Sequence, residues 1–181
     1  MTPGIRKAAL TAHITSSVGW LGAVAGFECL AVSGLASRET LMVRAAYIAM
    51  ERIAWFVIVP LAFASFLTGL VMSLGTKWGL FRHYWVLMKF LINTFAIILL
   101  LLHTRLIGFV ASAAAERTLL GSDLRGARIQ LVFIGGAALL ALLVATAMAV
   151  FKPPGMTQYG QRKQQQVRRK APRGTSERTE Y

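Results

Sequence analysis

The sequence predicts an all-α integral membrane protein, a four-transmembrane-helix up-and-down bundle with a disordered C-terminal tail. Three observations predict it. Of 181 residues, 56% are hydrophobic, and the mean hydropathy of +0.58 lies far from the soluble average. Four apolar stretches each reach the roughly 20 residues that a helix needs to cross a hydrocarbon core. At Lys152 the composition turns abruptly polar and basic.

The four spans run approximately over residues 10–35, 47–74, 84–110 and 129–151, each too long and continuous for a core helix or a buried strand. Arg6-Lys7 ahead of the first resembles the start of a signal peptide. A signal's apolar core is only about 7–15 residues, whereas this one continues past Glu28, which predicts a retained helix. Pro60 predicts a kink in the second helix. The run Gly75-Thr-Lys-Trp-Gly79 separates the second helix from the third. Gly22, Ala23, Gly26, Gly69 and the pair Gly135-Gly136 are small residues of the kind that let helices approach in lipid. Lys-Pro-Pro-Gly stops the fourth helix. Residues 1–151 thus form the membrane domain and 152–181 a basic tail too poor in apolar residues to offset its ordering entropy.

The positive charges set the orientation. Arg6 and Lys7, Lys77 and Arg82, and the basic tail lie on one side. Arg38, Arg44, Arg117, Arg125 and Arg128 lie on the other, among Glu39, Glu51, Glu116 and Asp123. With the tail counted, both termini are expected in the cytoplasm of a bacterial-type plasma membrane. The net charge of +13 reads as topology, with the tail drawn to anionic lipid headgroups and no nucleic acid expected. The lone Cys29 excludes an intramolecular disulfide framework. No phosphate-binding glycine loop, zinc-type spacing or nucleophile elbow is present.

Ionisable groups within spans are costly and therefore mark candidate sites. On the first helix His13 shares a face with Ser17, Trp20, Val24 and Glu28; on the third, Trp85, Lys89, Asn93, Ala96 and His103 form a stripe. Both stripes are expected to face the bundle interior in two polar layers. The inner one is built on His13 and Lys89, with His83 at its rim; the outer one holds Glu28, His103 and Arg128, near Glu51 and Arg52. An imidazole, an amine and indoles around an apolar slot suit a haem b or porphyrin. In that reading His13 is the axial ligand, and Lys89 the second ligand or the partner of a propionate. Trp20 and Trp85 line the slot, and His103 joins them. The plainer reading is a headgroup-level histidine and a snorkelling lysine.

The pattern His13, Val18-Gly19-Trp20-Leu21-Gly22, Arg52 to Pro60 to Thr68-Gly69-Leu70, Trp85-x3-Lys89 and His103 resembles the four-helix membrane protoporphyrinogen oxidase family. It is also similar to copper-resistance membrane proteins related to that family. The resemblance covers about residues 10–110 and implies haem or porphyrin binding by His13 and Lys89. The third-helix ending Leu-Leu-His103-Thr-Arg105-Leu is less histidine-rich than the oxidases' own, which implies a bacterial sister family. The leading expectation is therefore a haem- or porphyrin-binding protein in electron transfer or redox chemistry, and an enzyme so built would be a membrane oxidoreductase. It would work with a redox partner or as a homo-oligomer. Two alternatives stand beside it: a small transporter or copper-handling protein using Glu28, His103 and Met50 or Met72, and a cofactor-free structural subunit.

Overall fold

A computed structural model describes residues 2–75, 84–116 and 122–151, together with 155, 157, 161–162 and 165–166. Four helices long and apolar enough to cross a membrane make up the described domain: Pro3–Ala36, Thr40–Gly75, Tyr84–Ala115 and Leu124–Phe151. The last continues a helix that begins at Ser122. The 34 residues of the first helix extend about 51 Å at 1.5 Å per residue, well beyond a hydrocarbon core of about 30 Å. The helices therefore outrun the apolar stretches from which they were predicted.

Local chemistry sets the first two helices. Pro3 occupies the first turn of the first helix, where its missing N–H has no intrahelical acceptor to lose. Ser37 leaves the helix in an extended conformation, its N–H still bonded to the Ser33 carbonyl at 3.0 Å. The Ser37 hydroxyl then accepts the Glu39 N–H at 3.1 Å, so three residues suffice to reverse the chain. The predicted effect of Pro60 takes a specific form. Without an N–H, and with its ring against the carbonyl four residues back, Pro60 cannot continue a regular ladder. The preceding turn, Ala54–Ile58, widens into a π-helical turn, and the Val59 N–H reaches back five residues to the Ala54 carbonyl.

Packing follows helical periodicity. Ser16, Trp20, Val24, Phe27, Ala31 and Gly34 form the buried stripe of the first helix, and Val43, Ala46, Tyr47 and Met50 that of the second helix's amino half. Ala31, Ala54, Ala62 and Ala114 are almost wholly enclosed, so that the backbones meet at small side chains. Outside this core, Phe56, Phe95, Phe133 and Leu140 are exposed along the spans. A surface this apolar on every side is matched to lipid rather than to water.

Each helix packs against its neighbours in sequence, and the fourth closes the ring against the first. The first and third helices are thus diagonal, with the second between them on one side and the fourth on the other. Of the glycines expected at helix contacts, Gly69 and Gly135 do meet a neighbouring helix, whereas Gly22 and Gly26 face outward with nothing near them. The segments 76–83 and 117–121, with His83, lie outside the described residues, as does most of the tail expected to be disordered. Within that tail 161–162 and 165–166 are helical, and the Gln161 N–H bonds the Thr157 carbonyl at 3.0 Å.

Candidate functional site

At the end of the bundle that holds the amino terminus, a cavity of about 320 Å³ opens between the first three helices. The first contributes Arg6, Leu10 and His13, the second Ser65 to Ser73, and the third Trp85, Lys89, Phe90 and Asn93. The expected association of His13, Lys89 and Trp85 is therefore present in space. It is made around the second helix rather than by direct packing of the diagonal first and third.

His13 is held in a defined orientation. Its Nδ1 lies 3.1 Å from both the Ser65 carbonyl oxygen and the Thr68 hydroxyl. A carbonyl only accepts, and the Thr68 hydroxyl donates to the Ala64 carbonyl at 2.6 Å, so Nδ1 carries the proton and shares it between them. Nε2 is left as a lone-pair donor beside the cavity. A histidine that gives its other N–H to a backbone carbonyl is the usual arrangement of a metal-ligating imidazole. The ring also rests on Gly69, where a Cβ would stand 3.0 Å from Cε1. Beneath it the Ser17 and Ser65 hydroxyls pair across the helices at 2.7 Å.

Opposite His13, Lys89 and Trp85 are half-buried on the third helix, and one turn deeper the buried Asn93 has a side-chain oxygen without a hydrogen-bond partner. A buried, unpaired amide oxygen is costly, and in a cavity wall it marks a position at which a ligand donor would be favoured. Arg6, which the sequence did not mark as a site residue, adds a second cation to the same wall.

Trp20 and His103 are not part of this cavity. Both line a second one, of about 390 Å³, in the middle of the bundle. Trp20 is seven residues along the helix from His13, about 10 Å deeper, and is fully buried there. The stripe on the third helix is real but divided: Trp85, Lys89 and Asn93 face the first cavity, Ala96 and His103 the second.

Compared with protein-family models, curated proteins and solved structures, the chain matches none.

The expected outer layer also separates into independent contacts. Glu28 stands against the fourth helix at Gly135, where any Cβ would collide with its carboxylate, and its Oε2 is buried without a hydrogen-bond partner. Arg128 donates to the Tyr47 hydroxyl at 3.0 Å and to the Gly34 carbonyl at 2.5 Å, with its guanidinium 5.4 Å from the Tyr47 ring centre. It ties the fourth helix to the first two. Arg44 reaches from the second helix to the Ala114 and Ala115 carbonyls, at 2.8 and 3.2 Å, and satisfies acceptors that the end of the third helix leaves open. Met50 is enclosed in the core, and Met72 lines the first cavity. Among the described residues, no three His, Cys, Asp or Glu side chains gather closely enough to hold a metal ion.

Sequence reasoning missed Ser65, Thr68 and Arg6 as parts of the site. Hydroxyls three residues apart in an apolar span, followed at once by Gly69, were the available signal.

Proposed function

We propose that this membrane protein binds an acid-bearing macrocycle, haem b or a porphyrin, in the cavity between its first three helices. The observation that carries the reading is the tautomer of His13, which leaves Nε2 as a lone-pair donor on a side chain that lines a cavity whose wall also holds Lys89 and Arg6. The donor set fits the group. His13 Nε2 would ligate the iron, Arg6 and Lys89 would neutralise propionates, and Trp85 would pack against the ring edge. Lys89 as a neutral amine is the alternative second ligand. Haem bound there would supply one-electron redox chemistry, which makes electron transfer or porphyrin oxidation the proposed role. The resemblance of His13, Trp85-x3-Lys89 and Thr68-Gly69-Leu70 to the four-helix protoporphyrinogen oxidases points the same way. Trp20 and His103, which line the other cavity, are not part of this proposal.

A cytoplasmic placement of both termini in a bacterial-type plasma membrane belongs to the same reading. It is supported by the Lys and Arg residues that the tail adds to the side of both termini. The basic tail would then lie against anionic headgroups of the inner leaflet.

Protein purified in mild detergent from haem-replete cells is expected to show a Soret band that His13→Ala abolishes. A colourless native preparation that also fails to take up added haem overturns the reading. The second reading, a small transporter, draws on Glu28, whose unpaired carboxylate oxygen faces Gly135 within a span. Reconstituted vesicles in which Glu28→Gln abolishes an ion or proton flux would favour it.

A further inference from the structure

The central cavity has a chemistry of its own. All four helices line it: Trp20, Val24 and Phe27 from the first, Ala54 and Ile58 of the π-helical turn from the second, and longer runs of the third and fourth. Its volume of about 390 Å³ is in the range of small-molecule sites. No charged side chain lines it, and two of its lining side chains carry a polar group, the imidazole of His103 and the indole N–H of Trp20, a donor that either a quinol or a quinone oxygen can accept. Phe95 is 63% exposed and Ala137 is also exposed; these two lining residues lie on the third and fourth helices, so part of the cavity wall also faces lipid. An occupant must therefore partition into the bilayer.

The imidazole decides what else the occupant carries. His103 Nδ1 lies 2.7 Å from the Leu99 carbonyl on its own helix. Because a carbonyl only accepts, Nδ1 holds the proton, and in the imidazole tautomer that this contact selects Nε2 is the acceptor. An acyl chain or an isoprenoid hydrocarbon would leave that acceptor unsatisfied in an apolar cavity. A quinone, whose oxygens are also acceptors, would set lone pair against lone pair. A ring bearing a hydroxyl donates to Nε2, while Trp20 and Phe27 supply buried aromatic faces for it.

We propose that the central cavity is a binding site for a membrane-soluble quinol, held by a hydrogen bond from its hydroxyl to His103 Nε2 and by ring contacts with Trp20 and Phe27. The site selects the reduced over the oxidised form because the backbone carbonyl of Leu99 fixes the histidine as an acceptor. It shares no lining residue with the His13 cavity and does not rest on the haem reading.

The test uses the full chain in nanodiscs under anaerobic conditions, with a decyl-substituted benzoquinol, the matching quinone and a decyl alcohol as probes. Equilibrium dialysis gives affinities, and NMR of the labelled histidine ring nitrogens reports the contact. The quinol is expected to bind saturably, about tenfold more tightly than the quinone, as one hydrogen bond supplies. It should shift one Nε2 resonance, which His103→Leu removes. His103→Leu should bring the quinol down to the level of the quinone, and Ala138→Phe, which fills the cavity, should weaken both. Equal affinity for quinol and quinone in the native protein overturns the proposal, as does a preference that survives His103→Leu. Competition by decyl alcohol equal to that of the quinol, or binding unchanged in Ala138→Phe, overturns it as well.

Discussion

The Nδ1–H of His13 on the first helix is donated to the Ser65 carbonyl of the second at 3.1 Å, so the imidazole joins two helices and keeps Nε2 as a lone-pair donor on a residue that lines a cavity. The Ser65 carbonyl also accepts the Thr68 hydroxyl at 3.1 Å, which gathers three polar groups, His13 Nδ1–H among them, at one turn of an apolar helix. That turn ends at Gly69, the floor on which the ring lies.

Gly69 offers a way to move His13 without removing it. A methyl group there would meet Cε1 at 3.0 Å, and the ring must yield by a few tenths of an ångström. In Gly69→Ala, an overpacking cost of about 1 kcal/mol is set against a similar gain in helix propensity. Thermal unfolding in detergent is therefore expected to change little. The Soret absorbance expected for the haem complex should fall, because the hydrogen bonds that aim Nε2 are disturbed. Unfolding shifted by several degrees with an unchanged chromophore would contradict this assignment of the glycine.

Much of this was legible in the residues. Four spans follow from apolar length alone, because lipid demands that every backbone group be satisfied within its own segment. The shared location of His13, Lys89 and Trp85 follows from helical periodicity and depth along the helices. Periodicity could not show that Trp20 and His103 belong to a different cavity. A stripe spans several turns, and only the packing of neighbouring helices decides where one cavity ends and the next begins. Nor could it reveal the diagonal placement of the first and third helices, which depends on the fourth closing the ring.

Asn93 tests what the first cavity is for. Its side-chain oxygen is buried without a partner, so replacing the amide by a similarly sized apolar group relieves an unsatisfied polar atom. Asn93→Leu is expected to leave the resistance of the bundle to denaturation equal to or above that of the native protein. The same substitution should lower the affinity for a ligand placed between Lys89 and Trp85. A loss of stability comparable to a core truncation would instead make Asn93 a structural residue.

The Arg128 contacts predict a graded series. Tyr47→Phe keeps the ring beneath the guanidinium and removes one hydrogen bond, at a cost of about 0.6–1 kcal/mol in a membrane bundle. Arg128→Ala removes both hydrogen bonds and the cation–π contact and leaves the Tyr47 hydroxyl and the Gly34 carbonyl without their partner, so about 2–3 kcal/mol is expected. Unfolding in mixed detergent micelles should rank native, Tyr47→Phe and Arg128→Ala in that order. Reversal of the two variants would mean that the Tyr47 hydroxyl acts chiefly through a group other than Arg128.

Glu28 and Gly135 should behave as a coupled pair. A Cβ at Gly135 collides with the Glu28 carboxylate, whereas one at Gly136 would meet Oε1 at 3.7 Å, an ordinary contact. Gly135→Ala is therefore expected to cost about 1–3 kcal/mol, and Gly136→Ala close to nothing. Because the clash involves one side chain, shortening that side chain should remove most of it: Gly135→Ala placed in a Glu28→Ala background should cost under about 1 kcal/mol. The difference is a coupling energy that a double-mutant cycle in the same micelles measures directly. Additive effects would show that Gly135 is required for backbone packing between the first and fourth helices. A large coupling would show instead that the fourth helix keeps a glycine there to admit a carboxylate within a span, the placement that a proton- or ion-linked role for Glu28 requires.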